Sequence, residues 1–597
     1  VRAQNMKAWR ASNTLFFVTK SRRVLHDRLM AQLHFKKYPQ FIKQLIKAAD
    51  SGLLCRDNHA FIVDLLTGLS TSLLNGSKQR RLSENERHFY KMLYMYGGPM
   101  VHNFVSQNLL GASISTSKRL LRKEPLLGLN TLSHNLSVVV ELMKKYDLLG
   151  VPCLLGEDGS ALIKHLDPVM ETADDDSGDV IVVYGMNGGP VVVTSVDVLK
   201  DRAHGFVTTL YVWDLIPLIE KAPHFPIKVA TNANCFTHTD VLTAWKELWR
   251  MCTDMGINIV GHVSDGDPKL RAADFVMQQN LQRRHGAARD YMQLDHHLIQ
   301  LSIPVVFHAG QGGAESRHPV CCLQDFLHVM WRLRVLYLKP RRMLFIGPSL
   351  ASPDNLRRHM NKHGTDLGLR YSDLDERDKQ NFRGCLRLFG FTRLGTVQAD
   401  EDTIFKRLHA DEGARGDILY LRFCHRFVRT FVVPTADVSP VASVRDMGYT
   451  ITFLCVWRQL TEEHPKMSMK DNFLSRETYT DVLLTAMTVV LLVKVYRECY
   501  PDQRWVPRRF SSRFNEYIFS YLRLQLKGSP NFTAMTAQRL LRNLMAQLSG
   551  EAGTDVKFPD FKRGHSRGAG RCDFNAGKQE SWPTDAEIKV ALDDGQN

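Results

Sequence analysis

Cysteine is sparse and unpatterned in this chain. Eleven are scattered over 597 residues, no Cys-x-x-Cys motif repeats, and the one adjacent pair is Cys321-Cys322. That excludes a disulfide framework and fits free thiols in a reducing compartment. Long hydrophobic runs are also missing. The most apolar stretch, 482–493, has 12 residues between Asp481 and Lys494. It is too short to span a bilayer and suits a buried helix, so no membrane partner is expected. No signal peptide is visible, and the long 310–500 stretch shows no repeat. A phosphate-cradling GxxxxGK[ST] is absent, and Gly310-Gln311-Gly312-Gly313 alone is a poor nucleotide signal. Acidic residues fall short of basic ones, 62 against 78, which leaves a formal charge of +16. A polyanion partner, nucleic acid or an acidic surface, follows.

What remains is a globular composition, 44% hydrophobic and 23% charged, in a chain too long for one core. Residues 1–60 read as a basic helical segment, with eleven Lys/Arg against the single acid Asp27 in 1–48. They suit either phosphate contact or a solvated helical face. A helical region, 61–146, is broken at Gly97-Gly98-Pro99, and Ser113 can cap a short basic helix. From 147 the pattern turns to strands: 148–155 running into Gly156-Glu157-Asp158-Gly159, then 180–184, 190–196 and 206–213. An amphipathic helix, 240–255, leads into the β-branched run Ile257–Val263, which ends in Ser264-Asp265-Gly266-Asp267. A helix from about Pro268 to Leu281 and a last strand, 303–307, complete a mixed α/β order. The stretch 309–499 is mostly helical, 500–548 is helical and basic, and 549–597, poor in apolar residues, reads as a disordered tail.

Three acids stand out. Asp158 and Asp265 close strand-like runs, where chemistry tends to sit in α/β sheets. Both are also ordinary turn residues, Glu157 competes with Asp158, and Asp267 serves equally as a ligand or a helix N-cap. Glu516, Ser520 and Arg523 share one helix face, with Phe514, Ile518, Tyr521 and Leu522 on the other. A salt bridge to Arg513 or Arg523 is the plain alternative for Glu516. Asp325 and His328, at i and i+3, either buttress their helix or reach the cleft as accessory acid and base. Arg504, Arg508, Arg509, Arg513 and Arg523 interleave with Trp505 and Phe510, a candidate DNA contact or a solvated helix start.

These stretches together resemble the DDE transposases, and more closely the P-element-like group with a ribonuclease-H-like core. Phe89–Leu121 looks like the helical segment ahead of that core. Leu154-Leu155-Gly156-Glu157-Asp158-Gly159 resembles the first-aspartate strand and Val263-Ser264-Asp265-Gly266 the second-aspartate motif. Asp325-x-x-His328 followed by Leu333-Arg334 is similar to the stretch that opens the family's inserted domain. Glu516-x-x-Phe519 with Arg523 resembles its glutamate helix, and 529–542 the tail behind it. Asp265 and Glu516 stand 251 positions apart, which fits a helical insertion. The resemblance implies an α/β, ribonuclease-H-like core at 147–308 plus 500–548, interrupted by 309–499. It also implies a catalytic triad of Asp158, Asp265 and Glu516 on two Mg²⁺ or Mn²⁺ ions, DNA cleavage and strand transfer, transposon ends and target DNA as partners, a homo-oligomer, and the nucleus. Two departures stand beside it. No zinc-finger spacing appears near the start, and nothing supports GTP.

Overall fold

The computed structural model describes residues 51, 56–74, 82–109, 111–124, 127, 132–172, 179–184, 191–193, 206–220, 222–233, 236–274, 291–296, 299–309, 315–319, 321–339, 341–364, 367–378, 381–391, 405, 407–408, 412–433, 438–525, 532–553 and 581–596. The basic segment 1–48 lies outside them.

Four helices come first: α1 (Arg56–Leu74), α2 (Glu84–Asn108), α3 (Ile114–Arg122) and α4 (Leu132–Lys145). Ser83 and Glu86 form a capping box on α2, which satisfies amide groups the first turn leaves orphaned. The break read at Gly97-Gly98-Pro99 is a kink inside α2, with Gly98 at φ 69°. Ser113 caps α3 as expected.

Strands follow: β1 (Pro152–Ala161), β2 (Asp167–Thr172), β3 (Asp179–Tyr184), β4 (Val191–Val193), β5 (Thr209–Pro217) and β6 (Phe225–Asn232). Then come α5 (His238–Asp254), β7 (Asn258–Ser264), β8 (Tyr291–His296), β9 (Ile299–Ala309), β10 (Glu315–Pro319) and β11 (Cys321–Gln324). The central sheet has the order β11-β7-β1-β5-β6. The β1, β5 and β6 strands form an antiparallel meander, while β7 runs parallel to β1 and β11 parallel to β7.

Two sequence expectations need correcting here. The 303–307 run is not in the central sheet. It lies in β9, paired antiparallel with β8 and β10 in a separate three-stranded sheet, because its partners are a short loop away on either side and antiparallel strands need only a hairpin. The fifth central strand is Cys321–Gln324, four buried residues. The insertion therefore begins beyond 324 and not at 309. Asp158 also does not end a strand: β1 continues to Ala161, with Asp158 opposite Val212. What ends there is the parallel ladder, whose last pair is Gly156 with Val263.

The insertion is built from α6 (Phe326–Leu338), β12 (Leu344–Ile346), β13 (Ser349–Ala351), α7 (Pro353–His363), α8 (Phe382–Leu388), α9 (Arg415–Val432), α10 (Pro440–Glu463), α11 (Met469–Asn472) and α12 (Arg476–Cys499). Its core joins Tyr420, Phe423, Phe427, Trp457, Val489 and Leu492, all essentially fully buried. α12 carries the apolar 482–493 run and is long and apolar enough to cross a bilayer, yet most of that window is buried inside the fold. The chain then returns to the sheet through α13 (Arg513–Gln525) and α14 (Ala534–Gly553). The tail expected to be disordered carries a further helix, α15 (Asp585–Asp594). Ile588, Ala591 and Leu592 are buried on it, and α15 packs on α10. Three apolar residues at helical spacing were enough to bury one face, a signal too short to stand out in a polar tail.

Candidate functional site

Asp158 and Asp265 occupy neighbouring positions just beyond the β1–β7 ladder. Gly156, two residues before Asp158, is opposite Asp214 on β5. A Cβ there would sit 2.2 Å from the Asp214 carboxylate, so only glycine lets β5 close against this point. Asp214 is buried, bonded to His224 Nδ1 at 3.0 Å. Burial pushes its carboxyl up to about 8, against the pull of Arg509 and Asn515.

The turn after β7 is fixed by its own side chains. Asp265 Oδ1 accepts from the Asp267 amide at 2.9 Å, and Arg332 Nη2 donates to the Asp265 carbonyl at 2.6 Å. Gly266 sits at φ +81°, with the Arg332 guanidinium 2.3 Å from where a Cβ would be. Asp267 Oδ1 accepts from the Lys269 amide at 2.7 Å. Of its two readings, the helix cap is the one with a bond to show for it. Arg332 is held in turn by Asp481 on α12, so the insertion braces this turn.

Asp325 follows β11 and caps α6 by accepting from the Leu327 amide at 3.0 Å. It also accepts from Ser511 and Ser512 Oγ at 2.9 and 3.0 Å. Those two serines stand immediately before α13, so this one carboxylate anchors the helix that carries Glu516. His328 Nδ1 lies 3.3 Å from Asp325, and its Nε2 lies 3.8 Å from Glu516 Oε1. Burial alone would raise the Asp325 carboxyl, but its bonds to His328, Leu327 and Ser511 hold it below the usual range. For His328 burial alone would lower the pKa; Asp325, Asp265 and Glu516 raise it to about 9.

Asp158 lies within electrostatic reach of Asp265 and Glu516, which come from two other stretches of the chain. The Asp158 carboxyl is pushed up to about 7, first by burial and then by the charges of Asp265 and Glu516. α13 lies over β1 and β5, with Ile518, Phe519 and Leu522 buried and Arg523 Nη2 donating to Ser160 Oγ at 2.7 Å. Phe519 fills a place the sequence pattern left off the apolar face, and the Phe514 and Tyr521 side chains lie outside the described residues. Sequence reasoning missed Tyr211. It pairs with Gly159, and its hydroxyl is pushed up by burial and by the charges of Asp267, Glu157, Asp265 and Asp158. An alternating strand, Thr209–Trp213, was the available signal.

Glu157 leaves the competition for the first acid. It is buried on the opposite face, where it accepts from the Trp213 and Trp245 indoles at 2.7 and 3.0 Å. The basic–aromatic run also reads differently. Trp505 and Phe510 are buried, and Trp505 Nε1 donates to Ser443 Oγ at 2.9 Å. Arg509 turns inward to the Pro217 carbonyl at 3.0 Å. Arg508 is half-buried, 4.0 Å from Glu220, and Arg513 lies over the Phe382 ring at 5.2 Å. Stacking platforms need exposed rings, which these are not. Arg504, half-buried, and Arg523 stay nearer the surface.

Hard carboxylate oxygens suit divalent cations of the Mg²⁺ or Mn²⁺ kind. No family model matches the chain, and no curated protein matches it. Among solved structures, the Drosophila P element transposase strand transfer complex aligns with 80% of this chain and 95% of that one, with a TM-score of 0.52 at 13% identity. The fold of this chain is transposase-like.

Proposed function

We propose that this protein is a DNA-cleaving and strand-joining enzyme of the DDE transposase kind, with a ribonuclease-H-like core. The sheet order, a three-stranded meander with two parallel strands added on the β1 side, supports the core assignment. The observation that carries the chemistry is the convergence of Asp158, Asp265 and Glu516 around His328.

Asp158, Asp265 and Glu516 would hold two Mg²⁺ or Mn²⁺ ions. Bound there, such ions supply charge neutralisation and water activation for in-line phosphodiester cleavage. The chain's own groups prepare that site. Asp325 orients the His328 ring through Nδ1, leaving Nε2 towards Glu516. His328 carries a positive charge that offsets three clustered carboxylates. The Arg332 bond to the Asp265 carbonyl fixes the turn. DNA as partner, both transposon ends and target, agrees with the +16 charge and with the transposase strand transfer complex this fold resembles. Assembly as a homo-oligomer and a nuclear location belong to the same proposal.

The test is nicking of supercoiled plasmid by the full chain with Mn²⁺. Wild-type protein converts plasmid to open circles, and Asp265→Asn does not. Equal nicking by both overturns the triad. Tight DNA binding without any nicking favours a non-catalytic DNA-binding descendant.

A further inference from the structure

Behind the sheet from Asp158 and Asp265 lies a second group of donors that the proposed chemistry does not use. His262 on β7 and Cys322 on β11 are direct partners across the parallel pair. Asp274 closes the helical stretch 268–274 that follows the Asp265 turn. One ring nitrogen of His262, a carboxylate oxygen of Asp274 and the Cys322 Sγ all lie within 4.8 Å of one another. The three residues are 1%, 2% and 4% exposed, and His262 Nε2 is in contact with Asp274 Oδ1.

The surroundings close the site off. The Trp245 ring covers His262 at 4.0 Å between centroids. Gln324, 3% exposed, donates through Nε2 to Asp274 Oδ2 at 3.1 Å and to Ser264 Oγ at 3.3 Å. An independent observation bears on a ligand: Gln324 Oε1 is buried without a hydrogen-bond partner among the described residues. Leaving such an atom unpaired is costly, and a buried carboxylate needs a cation or proton donors around it.

We propose that His262, Asp274 and Cys322 form a structural zinc site, with the Gln324 amide, turned so that its oxygen takes the place of the Nε2 that faces Asp274, as the fourth donor. Sulfur, imidazole and carboxylate together select Zn²⁺ over Mg²⁺, which prefers all-oxygen sites. A closed, buried site of four protein donors is structural, because a catalytic zinc keeps one position open. The ion ties β11 to β7 and to the 268–274 stretch, gripping the chain on both sides of the Asp265 turn. The site is independent of the transposase reading and stands or falls separately.

The full chain, expressed with zinc in the medium and dialysed without chelator, should carry about one zinc per chain. The same content is expected in Asp158→Asn/Asp265→Asn, where the carboxylate site is disabled. Cys322→Ser and Asp274→Asn should lose it. Cobalt substitution of wild-type protein should give a thiolate-to-cobalt charge-transfer band, absent in Cys322→Ser. Wild-type protein without zinc and without the cobalt band overturns the site and leaves a metal-free Cys–His–Asp hydrogen-bonded chain. Zinc retained in a folded Cys322→Ser does the same. Should the variants fail to fold, the wild-type zinc content and cobalt band decide alone.

Discussion

Glu157 and Asp158 are neighbours on one strand and face opposite worlds. Glu157 points to the side covered by α5, where two indole N–H groups meet it. Asp158 points to the side covered by α13, where it meets two further carboxylates. Burial pushes both up to about 7, so the protonation behaviour of the two acids does not tell them apart. The company does. One face surrounds its acid with donors and stabilises the fold. The other crowds like charges at a partly open position, which costs stability and creates a demand for cations.

The largest effect should come from breaking this pair. Asp158→Asn removes a carboxylate the fold disfavours, so Mn²⁺-dependent nicking falls below detection while stability at pH 8 rises by about 1–2 kcal/mol, discounted for partial exposure. Glu157→Ala leaves two buried indole donors unpaired, at a cost of about 1–3 kcal/mol each, and spares nicking in the molecules that stay folded. Denaturant melts beside plasmid nicking check both. A Glu157→Ala chain that melts like wild type would sink the division of roles.

His328 comes next. Replacing it with Asn keeps a polar group near Asp325 but removes the positive charge facing Glu516. Loss of such an outer-sphere partner of a metal ligand costs about 10–100-fold in affinity or activity. Nicking should slow by that factor with little change in melting temperature.

The charged face should also answer to pH. Asp158 must lose its proton to hold a cation, and its pKa is raised to about 7. Mn²⁺ affinity therefore falls as pH drops through 7, by about tenfold per unit for one displaced proton. In stability the sign is reversed. A raised carboxylate favours the folded state below its unfolded pKa of about 3.9, and that contribution is lost as pH rises through 7. Asp158→Asn should flatten both dependences. Calorimetric Mn²⁺ titrations at pH 6, 7 and 8 check the first.

Much of this was legible in the sequence, and the misses have a common cause. Local periodicity gave α5 and β7 with their flanking turn, because a helix stripe and a β-branched run need only neighbours in sequence. It gave the Gly98-Pro99 kink for the same reason. What it could not give was pairing at a distance. The four residues Cys321–Gln324 are too few to announce a strand, and they become one only because β7 offers an open parallel edge. Ile299–Ala309 reads more strongly as a strand yet pairs elsewhere. Motif order singled out Asp158, Asp265 and Glu516 as candidates, but not the serines that anchor α13 to Asp325, since a hydroxyl's partner 187 positions away leaves no local trace. The basic–aromatic run failed because composition does not say which side of a helix start faces inward.

That failure sets up the smallest effect, which separates two arginines five positions apart. Arg509 donates to the Pro217 carbonyl and offsets the buried Asp214. Arg504 is half-buried with no bond to a core carbonyl or carboxylate among those described. If the second carries phosphate, Arg504→Ala should leave the melting temperature unchanged and reduce the slope of log K against log salt by about 0.9, the value for one released counterion on duplex DNA. Arg509→Ala should do the opposite. Leaving the Pro217 carbonyl without its donor costs about 1–3 kcal/mol, while the salt slope of the protein that remains folded stays put. Fluorescence anisotropy with a duplex oligonucleotide from 50 to 200 mM salt, a range in which about ten contacts change affinity enormously and one changes it about threefold, resolves the difference. An unchanged slope in Arg504→Ala would move the DNA surface away from this helix start, with Arg523 on α13 and the basic residues of 1–48 as the next positions to test.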